Sequence, residues 1–265
     1  MTRYEDRLGA MLAGLRRNAA FTVAHAEEGP LATWLDGPEH ALQVIRKVTG
    51  LDLAPSMTGN FHRYGDLRCY WRGTADSTLG GELGLNHLVN ACVGWVPGTV
   101  PEADWPASER RDNGEVTNVS EVYGPPTESE DEEEDEPYTE LVVHGFDGTA
   151  HTGDGAIAGF RAEGGVVLDA SGNPEIWFSV NTSGTLVRLD LSYPQYLETL
   201  LLTRGLHGWQ YLFADPHDPG FPEYFRLDIG RHIDLVARAF PEDDFSALRA
   251  RYEAFTRARE AGRPS

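Results

Sequence analysis

Five short runs rich in β-branched and aromatic residues stand between residues 138 and 190: Leu141-Val-Val-His, Ala156-Ile-Ala-Gly-Phe, Gly165-Val-Val-Leu, Ile176-Trp-Phe-Ser-Val and Thr185-Leu-Val-Arg-Leu. Turn-forming stretches divide them: Phe146-Asp-Gly-Thr, Ser171-Gly-Asn-Pro and Asn181-Thr-Ser-Gly. Runs this short at a spacing of about ten residues predict an antiparallel meander, because each can pair only with the neighbour its turn delivers.

Helical patterns flank this block. Tyr4, Leu8, Met11, Leu12 and Leu15 form one apolar face and predict a helix over residues 3–18. A second helix is predicted from Pro38 to Val48, with Ala41, Leu42, Ile45 and Val48 inward and Gly50 as its stop. After the meander, Ser192 is a helix cap and Pro194 is tolerated in the first turn. Tyr193, Tyr196, Leu197, Leu200 and Leu201 form that helix's buried stripe, and Gly205 ends it. Phe225, Ile229, Ile233, Val236 and Phe240 mark a further helix; Phe245, Leu248, Tyr252 and Phe255 mark the last. Phe61 to Trp71 reads as two strands about Gly65-Asp66, while Asn86 to Trp95 fits strand or short helix equally. Helices from both chain ends around a central, mostly antiparallel sheet predict an α+β fold. One domain over residues 1–265 is expected, with an acidic insertion at 125–137 and a helical C-terminal extension at 221–260.

Charge narrows the function classes. The chain has 42 acids against 22 cations, a formal charge of −20, and Lys47 is its single lysine. Glu128-Ser-Glu-Asp-Glu-Glu-Glu-Asp-Glu136 places eight acids in nine positions, too dense to bury and expected to be disordered. Phosphates and anionic membranes repel such a chain, so no nucleic-acid or membrane partner is expected. No run approaches the ~18 apolar residues of a membrane span, and Met1-Thr-Arg-Tyr-Glu-Asp-Arg carries no signal-peptide core; a cytoplasmic location is expected. Cys69 and Cys92 are too few for a disulfide framework and read as reduced, buried small hydrophobes.

No nucleophile elbow, His-Glu-x-x-His pair, phosphate loop or EF-hand pattern is present, and no cofactor is expected. The densest polar cluster is His144, Asp147, His151 and Asp154, whose donors could hold a transition metal if they converged. Turn chemistry accounts for the same residues. In Arg204-Gly-Leu-His-Gly-Trp-Gln-Tyr-Leu-Phe-Ala-Asp, the residues Trp209, Tyr211 and Phe213 alternate as in a strand with one aromatic face. Such a face is either a lid completing the core or a recognition surface, since Trp and Tyr anchor interfaces efficiently.

The strand pair Ile176-Trp-Phe-Ser-Val-Asn and Thr185-Leu-Val-Arg-Leu-Asp, leading into Leu191-Ser-Tyr-Pro-Gln-Tyr-Leu-Glu-Thr-Leu-Leu, resembles the closing block of the SUKH superfamily, the Smi/Knr-type domain. The likeness covers about residues 140–215; the acidic insertion and the helices after Pro222 depart from the minimal family pattern. It implies a single α+β domain without catalytic machinery, akin to bacterial immunity proteins that neutralise toxins, or to scaffolding and regulatory modules. The acidic charge adds that the protein partner would be a cationic toxin, met through Glu130, Asp131, Glu132, Glu133, Glu134 and Asp135 with Trp209 and Tyr211. The competing class is a metal- or small-molecule-dependent enzyme using the His144 cluster or a cleft beside Trp177.

Overall fold

Thr2 caps the first helix through a reciprocal capping box with Glu5, and α1 runs over Arg3–Arg17. It is the first element of a computed structural model that describes residues 2–93, 142–148, 156–162, 166–180, 185–217 and 229–262. Contacts divide the chain into Met1–Trp95 with Val142–Ser265 as one unit and Val96–Leu141 as another; the described residues belong to the first.

Seven strands follow chain order in one antiparallel sheet: β1 Phe21–Glu28, β2 Leu67–Gly73, β3 Gly80–Leu85, β4 Val142–Gly148, β5 Ala156–Ala162, β6 Ile176–Val180 and β7 Thr185–Leu189. Among the described residues the further helices are α2 Pro38–Thr49, α3 Leu88–Val93, α4 Tyr193–Thr203, α5 Ile229–Ala239 and α6 Ser246–Ala261, with 3₁₀ turns at Pro55–Thr58 and Trp209–Phe213. This is an α+β fold, and four of the five predicted runs form consecutive strands, β4 to β7, although β4 continues through Phe146, Asp147 and Gly148 where a turn was expected. Of the run Gly165-Val-Val-Leu, the described residues 166–168 stand outside the seven strands and make isolated bridges, Ala162 with Val166 and Leu168 with Pro174.

Three local expectations are corrected. Phe61 to Asp66 is not a strand: Tyr64 makes one bridge to Leu31, and the Arg63 amide donates to the Glu5 carboxylate instead of to a ladder. Val48 is 37% exposed, because the whole last turn of α2 from Arg46 to Thr49 extends past the core and its apolar period has nothing to pack on. Trp209 to Phe213 is a 3₁₀ helix, not a strand. The helix predicted from Phe225 is described from Ile229 onward; residues 221–228 and the acidic insertion at 125–137 lie outside the described residues.

One sheet face carries the core. Cys69, Trp71, Leu83, Leu85, Phe160, Phe178, Val187 and Leu189 are buried, alternating with exposed Arg72 and Arg188. Helix α1 contributes Tyr4, Leu8, Leu12 and Leu15, and α4 contributes Tyr193, Tyr196, Leu197 and Leu200.

The pairing is uneven. β2 and β3 share six residue pairs, as do β4 and β5, but β3 and β4 share one, Leu85 with Asp147. The part of the β3 edge that β4 leaves free is taken by the chain after α4. The Glu82 amide donates to the Gly205 carbonyl at 2.8 Å, and the His207 amide to the Gly80 carbonyl at 3.0 Å. Gly205 has φ 70, and a Cβ there would stand 2.5 Å from the Glu82 carbonyl oxygen, so this docking demands glycine. Its neighbour Arg204 is left-handed too, with φ 57. That conformation is held from two sides: the Arg204 carbonyl accepts from Trp71 Nε1 at 2.7 Å, and its guanidinium lies over the Phe240 ring while pairing with Asp243.

Candidate functional site

The seam between β3 and β4 holds the most unusual chemistry in the described residues. The register of β4 against β5 shifts between Gly145 and Asp147, a bulge that inserts Phe146 as an extra residue. Phe146 and Asp147 therefore both turn toward α4. The Phe146 ring packs edge-on to Tyr193 and Tyr196, at 5.0 and 4.9 Å between centroids.

Asp147 is buried, with two short hydrogen bonds. The Gly84 amide donates to Oδ1 at 2.8 Å and the Tyr196 hydroxyl to Oδ2 at 2.7 Å; Gln210 Nε2 in turn donates to the Tyr196 oxygen at 3.3 Å. The carboxylate thus supplies the acceptor that the sparse β3–β4 ladder omits. Gly84 is needed for that approach, since a Cβ there would lie 2.2 Å from the Gly148 carbonyl oxygen. Burial pushes the Asp147 carboxyl up to about 6, and Glu82 adds repulsion; the Tyr196 and Gly84 hydrogen bonds oppose the rise. Burial and the charge of Asp147 raise the Tyr196 phenol well above its ordinary value.

A second polar locus lies under α1. Glu5, fully buried, accepts from the Thr2 amide, the Arg63 amide, Arg63 Nε and Arg63 Nη2 at 2.7–3.0 Å. Burial acts to raise its carboxyl, but the Arg63 hydrogen bonds outweigh it and the carboxyl is lowered. His62 sits beside the Tyr4 and Tyr64 rings, with neither ring nitrogen hydrogen-bonded among the described residues. Burial takes its imidazole down to about 3, helped by His87, which burial takes to about 4. A cleft of about 200 Å³ opens nearby between Arg3, Arg7, Asn60 and Glu198. The Arg7–Glu198 fork, 2.6 Å at both contacts, fills its charged side.

The sequence-derived candidates separate. His144 and Asp147 share a strand, but the His144 ring leans on the backbone of Ala91 and Cys92 while Asp147 serves Tyr196. His151 and Asp154 lie outside the described residues, as do Glu130, Asp131, Glu132, Glu133, Glu134 and Asp135. Among the described residues no group of three His, Cys, Asp or Glu side chains is placed to hold a metal. Trp209 and Tyr211 are corrected as recognition residues: at 0% and 3% exposure they are core. A 3₁₀ turn brings both inward, with Trp209 against Tyr196 and Tyr211 edge-on to Phe178, so neither of these two rings faces a partner. Cys69 and Cys92 are buried free thiols, and burial pushes the Cys69 thiol up to about 12.

Sequence reasoning missed Glu5, Glu82, Tyr196 and Gln210 as members of polar networks. The capping-box spacing of Thr2 and Glu5 was readable in the sequence; nothing local marks the other three. Comparisons with protein-family models, curated proteins and solved structures return no match to this chain.

Proposed function

We propose that the chain is a non-enzymatic protein-binding module of the SUKH kind, an immunity-type protein that engages a cationic toxin. The observation that carries this reading is the division of charge along the chain. Residues 94–141 hold 15 acids and two arginines, whereas the described residues hold 22 acids and 18 cations. Net negative charge concentrated in one stretch steers a basic partner to that stretch, acting on association rate and salt dependence more than on contact energy. The order β6, β7 and a Ser192-capped helix supports the family resemblance at the level of element sequence. With Trp209 and Tyr211 in the core, the partner-facing residues of this reading are Glu130 to Asp135.

The test compares the full chain with a variant lacking residues 126–137 as bait for basic proteins of the parent organism. The full chain is expected to retain a basic partner through moderate salt. The variant should melt at the same temperature, associate more slowly and show a flatter salt dependence. Retention of no basic protein, or a variant that fails to fold, overturns the proposal.

A further inference from the structure

We propose that the seam between β3 and β4 is a proton-coupled latch: the two halves of the sheet close more firmly when the Asp147 carboxyl takes up a proton. The geometry is the single ladder pair, the bulge that turns the carboxyl inward, and the three-residue chain from Gly84 through Asp147 to Tyr196. A charged carboxylate in this position is buried with hydrogen-bond donors that are neutral. Its surroundings are acids and phenols: Glu82 on β3, Tyr193 and Tyr196 on α4, and Tyr4 on α1. Cys92 on α3 faces Tyr193, and Arg7 acts on Tyr4 while held by Glu198. The 3₁₀ turn presents Gln210 to the Tyr196 hydroxyl and the Trp209 ring to its face.

The sign follows from linkage. The carboxyl is raised from 3.8 to about 6 by burial, so the closed seam binds the proton more tightly than an opened one. Closure is then favoured below the opened-state value and that advantage is lost as pH rises through about 6. The histidine pocket under α1 has the opposite sign, because burial lowers His62 and His87. Global stability sums both, so the latch must be read locally or by difference.

Hydrogen exchange of the full chain, corrected for intrinsic rates, provides the local readout. Peptides covering β3 and β4 should gain about tenfold in protection at pH 5 relative to pH 7.5, and Asp147→Asn should abolish that gain. Peptides covering α2 should show no such gain. Equal wild-type protection at both pH values, or a gain that survives in Asp147→Asn, overturns the proposal. Should Asp147→Asn not fold, Tyr196→Phe keeps the carboxyl and removes one donor. Its protection gain should then extend to higher pH, and an unshifted profile would overturn the latch.

Discussion

Asp147 at the seam and His62 under α1 are both almost fully buried, at 4% and 1% exposure, yet acid acts on them in opposite directions. Both disfavour the charged form for the same reason, desolvation. For a carboxyl that means holding a proton to higher pH; for an imidazole it means refusing one. Their hydrogen bonding differs as well. Asp147 has partners on both oxygens, whereas His62 packs as an aromatic ring between Tyr4 and Tyr64. Burial alone therefore does not set how a region responds to pH; the charge type does, and hydrogen bonds decide how far.

The comparison breaks most visibly at Glu5. Glu5 is a buried carboxylate that, unlike Asp147, is hydrogen-bonded to a cation, and Glu5→Ala strands Arg63 together with two backbone amides. A loss of about 4 kcal/mol is expected in urea unfolding at pH 7. A loss below about 1 kcal/mol would show that water replaces the carboxylate at no cost.

Substituting the histidine sharpens the sign. An imidazole lowered from 6.5 to about 3 gives stability that is present above 6.5 and lost as pH falls toward 3. Replacing His62 with Leu removes that loss. The variant's stability relative to wild type should rise by about 2 kcal/mol between pH 8 and pH 5, a difference in which packing changes cancel. An unchanged difference would mean that His62 does not stay neutral.

Tyr196→Phe probes the seam from the other side. Loss of the phenol donor leaves one Asp147 oxygen unpaired, and a cost of about 1.5 kcal/mol is expected at pH 7.5, shrinking at pH 5 once the carboxyl is protonated. A cost that grows on acidification would contradict the sign assigned to the seam. Val48→Lys provides the reference, a surface change on the exposed end of α2, with an expected effect within about 0.5 kcal/mol at either pH.

Much of the fold was legible because secondary structure is written locally. The Ser192 cap, the period of the α1 and α4 stripes and the turn stretches at Ser171 and Asn181 are all read within a few residues. β1 and β3 were missed: Phe-Thr-Val-Ala-His-Ala-Glu-Glu is too polar, and Gly80-Gly-Glu-Leu-Gly-Leu too rich in glycine, for strand propensity to mark them. Their strand state comes from pairing, as in the docking of Gly205 to His207 on the β3 edge.

The site was scarcely legible. Asp147 was seen, but as part of a turn, since Phe146-Asp-Gly-Thr has turn composition whether the chain turns or bulges. Trp209 and Tyr211 alternate as a strand would, but the backbone coils and sends both inward. By itself the sequence determined an α+β chain, the order of its meander and the concentration of net negative charge in one stretch, because periodicity and charge density are properties of neighbouring residues. Only the tertiary structure decided which polar side chains are enclosed. Enclosure depends on what β3, β4, α4 and the 3₁₀ turn bring together from distant positions, and desolvation then sets the protonation of whatever is caught inside.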